Sequence, residues 1–324
     1  MEFITFKKLN SDLIKNIHKL QQDIDLVVGI PRSGLILANM IAVYLNKPLT
    51  DLDSYLKGSI FKSGNTKDLS HNVKTFDDVN KVLIVDDTVS SGRAIREAKH
   101  KITALHSGKK EIYLAAYVRS ETKMEVDIFF EIIDDDRVFE WNYLHNTLLE
   151  NACLDIDGVL CLDPTISQND DDERYIDFIL NATPKFIPSV KVGYIVTSRL
   201  EKYRSQTEYW LRKYNIDYKK LYMMNLESAE ERRRLGNHAS FKASIFKHLK
   251  TAKWFIESES DQAEAIAKIT GKMVFCVENQ KCYFPGMKEK MKSIVYIKQK
   301  SIKNRIKKVC PSIVLNVYYR HFKR

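Results

Sequence analysis

No stretch of this chain approaches the roughly 18 consecutive apolar residues a bilayer-spanning helix needs, so nothing in it is expected to cross a membrane. The opening residues, MEFITFKKLN, lack the long apolar core of a secretory leader. The five cysteines (Cys153, Cys161, Cys276, Cys282 and Cys310) form no CxxC pair and no metal-ligand spacing. That excludes a zinc module or a disulfide framework and reads as free thiols in a reducing cytosol. Net positive charge is also absent outside one segment. The formal net charge is +10, yet residues 288–324 alone hold twelve Lys and Arg against one acid, Glu289, which leaves −1 for everything before them. The pI of 9.1 therefore describes a tail and not a nucleic-acid-binding body. What is present is 324 residues, 44% hydrophobic and 29% charged, the makeup of a globular protein of about two domains.

Residues 82–93, VLIVDDTVSSGR, organise the first half. Val82, Leu83, Ile84 and Val85 read as a strand buried on both faces. Asp86 and Asp87 stand at its end, and Thr88, Val89, Ser90, Ser91 and Gly92 form a small-residue turn. A helix follows, with Ile95, Ala98, Ile102 and Leu105 on one side. Strand, small turn and helix start make a cradle for an anion. Earlier, residues 26–30 read as a buried strand running into Gly29, Ile30, Pro31, Arg32, Ser33 and Gly34, then a strongly apolar helix to Leu45. This is a second anion loop of the same build. Residues 11–22 read as a helix capped by Ser11, and 49–55, 112–118 and 126–133 as strands. Residues 57–74 are polar and without period.

The acid pair with its loop resembles the phosphoribosyl diphosphate (PRPP) motif of type I phosphoribosyltransferases. The resemblance implies that Asp86 and Asp87 address the ribose hydroxyls and magnesium, and that Thr88, Val89, Ser90, Ser91 and Gly92 hold the 5-phosphate. It implies that the loop Pro31, Arg32, Ser33, Gly34 holds the leaving diphosphate, and that 57–74 contains a closing loop. One departure is Ser90, where the purine-salvage branch carries a further Asp; it argues against a 6-oxopurine acceptor. The general base for an acceptor hydroxyl is not identified; Asp51 and Asp53 are candidates.

The second half opens on a short apolar strand, 152–156, leading into Asp155-Ile156-Asp157-Gly158-Val159. Alternation puts Asp155 and Asp157 on one side of the strand end. A calcium loop or a plain turn would also fit this fragment alone. It resembles the DxDGV signature of haloacid dehalogenase-like (HAD) phosphatases, and three later segments resemble the rest of the set. Tyr194 to Arg199 would supply Thr197 to the phosphoryl group. HASFKASIFK would supply Lys242, with Lys247 competing. Glu257 and Asp261 match the acid pair that completes the metal site, with Glu259 open as a substitute and Glu257 standing where Asp is usual. The resemblance implies Asp155 as nucleophile, Asp157 as acid and base, and Mg²⁺ held by Asp155, Asp157, Glu257 and Asp261. Fewer than 40 residues separate Gly158 from Thr197, with one helix-like segment at 172–182, and little over 40 separate Arg199 from Lys242. Neither gap holds a full cap domain.

The expected architecture is α/β with two Rossmann-like domains: a phosphoribosyltransferase fold at 1–148, a capless HAD-like fold at 149–287, and a basic helical tail at 288–324. The tail carries an apolar stripe that either lies on an anionic membrane surface or packs on the second sheet. Together the domains resemble fusions that install ribofuranose in bacterial polysaccharides. The implied function is transfer from PRPP to a glycan acceptor, lipid-linked at the inner face of the cytoplasmic membrane, followed by loss of the 5-phosphate to leave a β-ribofuranosyl residue. The alternatives are synthesis of a nucleoside-like small molecule and a PRPP-binding regulator.

Overall fold

The computed structural model describes residues 1–20, 23–61, 73, 75–106, 108–169, 171, 173–236 and 238–284. Most of the expected closing loop and the whole basic tail lie outside the described residues, as do Cys310 and the N-terminal residue of the helix expected from 172. The chain divides into two compact units, Met1–Tyr143 and Leu144–Arg324. The division falls before the expected 148/149 because the intervening segment bonds to the second unit: Ser189 N donates to Leu144 O (3.2 Å) and the Trp254 indole to Leu148 O (3.2 Å).

The first unit runs β1 (Glu2–Ile4), α1 (Phe6–Asn16), β2 (Leu26–Gly29), α2 (Gly34–Leu45), β3 (Leu49–Asp51), α3 (Leu52–Leu56), β4 (Lys81–Val89), α4 (Arg93–Leu105), β5 (Lys110–Val118), β6 (Ile128–Ile132) and β7 (Arg137–Phe139). Five strands form a parallel sheet in the order β3-β2-β4-β5-β6, and β1 pairs with β7 in a separate parallel ribbon. Alternate residues of β4 serve opposite faces: Leu83 and Val85 join the cluster under α1 and α2, while Val82 and Ile84 join the one under α3 and α4. A parallel sheet covered on both sides requires such continuous apolar strands. Two local expectations are corrected. Thr5, not Ser11, caps α1, accepting from Lys8 N at 3.1 Å, and Ser11 lies inside the helix. The strand expected to reach Tyr55 stops at Asp51, whose carboxylate accepts from Ser54 N at 2.9 Å and starts α3.

The second unit contains β8 (Ala152–Leu154), α5 (Glu173–Asn181), β9 (Val192–Leu200), α6 (Arg204–Lys213), β10 (Tyr218–Met224), α7 (Ala229–Leu235), α8 (His238–His248), β11 (Trp254–Glu257), α9 (Ser260–Thr270), β12 (Met273–Cys276) and β13 (Lys281–Tyr283). Its sheet order is β10-β9-β8-β11-β12-β13, parallel except for β13. Glycine is required at 193 in β9: a Cβ there would stand 2.5 Å from Glu150 O and 2.7 Å from Ala152 O. Among the described residues, no helix is long and apolar enough to cross a membrane.

Candidate functional sites

In the first unit the two anion loops meet over the carboxyl ends of β2 and β4. Ile30 N donates to Val85 O (2.8 Å), folding the first loop onto β4. Gly34 opens α2 directly against that strand; a Cβ there would lie 2.8 Å from Val85 O and 3.0 Å from the Asp86 Cα. The peptide bond between Pro31 and Arg32 is cis. Pro31 and Arg32 are exposed, and Ser33 Oγ donates to Asp87 Oδ1 at 2.8 Å. The Trp141 indole donates to Asp87 Oδ2, also at 2.8 Å, and Asp87 N donates to Asp86 Oδ1 at 2.9 Å.

Asp86 and Asp87 are both buried, and among the described residues neither has an ion-pair partner. Burial, and then the adjacent Asp87, hold the Asp86 carboxyl well above the usual carboxylate range. Two neighbouring buried acids without a cation are expensive unless a ligand completes them. Oxygen donors of this kind, left uncompensated, fit a magnesium ion or the hydroxyls of a sugar.

The second loop is shorter than the sequence suggested. β4 continues through both aspartates to Val89, pairing Thr88 with Tyr117 and Val89 with Val118 of β5. Val89 is a core residue, and its carbonyl accepts from Thr122 Oγ1 (3.0 Å) and the Arg137 guanidinium (2.9 Å). Thr88 Oγ1 is turned to Tyr117 O at 3.3 Å. The open turn is thus Ser90, Ser91 and Gly92, with Gly92 at φ +76° and buried, immediately before α4. Arg119 Nε reaches Ser90 Oγ at 3.2 Å, and Arg96 donates to Ser91 O at 2.9 Å. Asp51 is occupied as the α3 cap, and Asp53 is exposed.

In the second unit Asp155, Asp157, Thr197 and Lys242 line one cavity of about 120 Å³. Lys242, on α8 and 2% exposed, divides its ammonium between Asp155 Oδ2 (2.6 Å), Glu257 Oε2 (2.8 Å) and Gln262 Oε1 (3.0 Å). Burial outweighs the pull of Lys242 on Asp155, and Glu257 and Asp157 add to it, so the Asp155 carboxyl is pushed up to about 7. Asp157 is gripped through both oxygens by Arg199, with Nε at 3.2 and 3.1 Å and Nη2 at 2.6 Å from Oδ1. Thr197 is buried, and its Oγ1 accepts from Arg199 N at 3.3 Å. Lys247, the competing lysine, does not line the cavity.

The expected metal set does not fit as it stands. Asp155 and Glu257 share Lys242, Asp157 is paired with Arg199, and Asp261 is exposed in the first turn of α9, away from the cavity wall. Among the described residues no group of three or more His, Cys, Asp or Glu has metal-holding geometry. The cavity acids left without a cationic partner among the described residues are Asp163 and Glu259.

Several residues here carried no role in the sequence reading. Arg199 had a usable signal: residues 197 and 199 share one face of a strand, so a residue two past Thr197 points where Thr197 points. Trp141, Arg137 and Arg232 had none, since each is placed by long-range packing.

Residues 4–147 match the phosphoribosyl transferase domain family. Among curated proteins, the transcriptional regulator GfcR of Methanococcoides burtonii is 30% identical over 122 residues, covering 37% of this chain and 56% of its own length. The chain thus spans little more than half of that relative. Among solved structures, the xanthine-guanine-hypoxanthine phosphoribosyltransferase of Helicobacter pylori is 16% identical, covering 43% of this chain and 90% of that one with a TM-score of 0.32. The purine phosphoribosyltransferase of Pyrococcus horikoshii is 19% identical, covering 43% and 92% at the same TM-score of 0.32. The similarity to phosphoribosyl transferases is thus confined to the N-terminal region of this α/β protein, where residues 4–147 match that domain family.

Proposed function

We propose that the chain transfers phosphoribose from PRPP to a glycan acceptor, releasing diphosphate, and that its second unit then removes the 5-phosphate. The observation that carries the first step is the buried Asp86–Asp87 pair, without a cation, between two anion loops. A ribose diol and Mg²⁺ would complete it, held by Asp86 and Asp87. Magnesium there supplies charge neutralisation to the leaving diphosphate. Ser33 and Trp141 hold Asp87 in place through its two oxygens. Ser90, Ser91 and the α4 N-terminus receive the 5-phosphate, and the loop Pro31, Arg32, Ser33, Gly34 receives the diphosphate, with exposed Arg32 as a charge partner.

The second step rests on Asp155 and Lys242, which line one cavity with Asp157 and Thr197. Asp155 attacks phosphorus, Thr197 bonds the transferring group, and Arg199 fixes Asp157 beside the leaving oxygen. Nucleotide salvage would be undone by a phosphatase, whereas delivery of plain ribose needs one. A lipid-linked glycan in a bacterial surface polysaccharide, with the basic tail on the inner membrane face, is the acceptor we infer, and the product is a β-ribofuranoside. A regulator that binds PRPP is the second reading, favoured by the likeness to GfcR.

Titration calorimetry with PRPP and magnesium tests the first step's premise. Micromolar to millimolar binding is expected, and its absence would remove the PRPP assignment. Gly34→Ala is expected to lose that binding. The added methyl meets backbone at 2.8 and 3.0 Å, so α2 must lift from β4 and carry Ser33 off Asp87. Overpacking of this kind costs about 1–3 kcal/mol, read as a lower melting temperature of the first unit. Unchanged binding by Gly34→Ala would mean the two loops act separately.

A further inference from the structure

Among the described residues, the cavity of the second unit has one lining Lys or Arg that no carboxylate claims. Lys242 answers Asp155 and Glu257, and Arg199 answers Asp157. Arg232, on α7, is only 7% exposed and lines the same cavity as Asp155 and Thr197. Its Nη1 donates to Ser198 O (3.2 Å) and its Nη2 to Asn169 Oδ1 (3.0 Å), both neutral acceptors. Its Nε is buried without a partner. Among the described residues Arg232 takes part in no ion pair. The neighbouring Ser198 Oγ, also on the cavity wall, is likewise buried and unpartnered.

A guanidinium taken out of water with only neutral hydrogen-bond partners is incompletely compensated for its desolvation. Salt bridges elsewhere in this unit show that its buried cations otherwise have carboxylates. We infer that Arg232 is the counter-charge for the substrate's phosphoryl group, so that the cavity binds the dianion of a phosphomonoester through Arg232 with Ser198. The cavity, about 120 Å³ and open on one side, has room for a phosphoryl group beside Arg232 and Ser198. This deepens the phosphatase reading above and rests on it only for the reaction, not for the binding.

The test is calorimetric titration of inorganic phosphate into the full chain and into Arg232→Met and Arg232→Lys, with melting curves for each. The first unit's loops contribute a background common to all three proteins. Wild type is expected to bind one equivalent of phosphate more than Arg232→Met, or to bind it roughly 10- to 150-fold more tightly, the range for losing one charged hydrogen-bond partner. Arg232→Lys, which keeps the charge, should retain most of that equivalent. Without phosphate, Arg232→Met should melt no lower than wild type, because it removes an uncompensated buried charge; with phosphate, it should lose the ligand-induced rise in melting temperature. Equal phosphate binding by wild type and Arg232→Met would overturn the inference. So would a melting temperature for Arg232→Met several degrees lower in phosphate-free buffer, which would mark Arg232 as a structural brace. Failure of the phosphatase reading looks different: phosphate binding would depend on Arg232, yet no Asp155-dependent hydrolysis of p-nitrophenyl phosphate would occur.

Discussion

Asp86→Asn is expected to abolish diphosphate release from PRPP while leaving phosphomonoester hydrolysis at the wild-type rate. The substitution keeps the side chain's shape, and its amide can still accept from Asp87 N at Oδ1. What disappears is negative charge facing the sugar hydroxyls and magnesium. Two charge-assisted contacts at about 1.5–3 kcal/mol each raise the barrier enough for a loss of at least about 10²-fold. The same variant should melt no lower than wild type. Burial and the neighbouring Asp87 raise the Asp86 pKa, so folding takes up a proton at pH values between its unfolded and folded pKa values. Stability from this group is therefore full below the unfolded pKa and is lost as pH rises through the raised folded one. In magnesium-free buffer, the wild-type melting temperature should fall across that interval more than that of Asp86→Asn. Wild-type transfer by Asp86→Asn would remove the PRPP-site assignment, and a sharply lower melting temperature would make the acid pair structural.

Asp155→Asn should stop the second step and leave the first intact. Asparagine cannot form the acyl-phosphate, so loss of phosphatase turnover should be complete within detection. The fold should persist, because Lys242 keeps Glu257 and Gln262 as partners and the replacement is isosteric. The proposed groups of the first step all lie in the first unit, Met1–Tyr143. With PRPP, magnesium and a glycan acceptor, the variant should therefore accumulate a product heavier than the wild-type product by one phosphate. Adding Asp86→Asn protein, whose second site is intact, should convert this product to the plain riboside in trans. The short segments from Gly158 to Thr197 and from Arg199 to Lys242 leave the phosphate end of a large molecule room to enter. Direct formation of the unphosphorylated riboside by Asp155→Asn would show that the order of steps is wrong and that the second unit has another substrate.

How much of this was legible depended on whether the determining contacts were local. The apolar run 82–85 announced a strand covered on both faces, and β4 carries its alternate residues into two separate cores. The spacing Asp155, Asp157, Thr197, Lys242 gathered residues that do line one cavity. The end of β4 was misplaced because its extension through Val89 depends on pairing with β5, and a small-residue run by itself cannot reveal that partner. Thr5 was missed as a cap because Ser11 offered the same hydroxyl chemistry a turn and a half later. The expected metal set is not assembled among the described residues, for a different reason. The sequence places acids but not the cations that claim them, and Lys242 and Arg199 claim three of the four. Arg232 lay hidden in a run of three arginines, and its burial on a cavity wall is set by packing that the run itself does not show.

The most direct test of the two-step proposal is the stoichiometry of the wild-type reaction. The full chain is incubated with PRPP, magnesium and a lipid-linked glycan, and diphosphate, orthophosphate and ribosylated glycan are quantified together. One diphosphate and one orthophosphate per ribosyl group transferred, both dependent on acceptor, is the expected result. Diphosphate without orthophosphate, or orthophosphate released from PRPP with no ribosylated glycan, would contradict it.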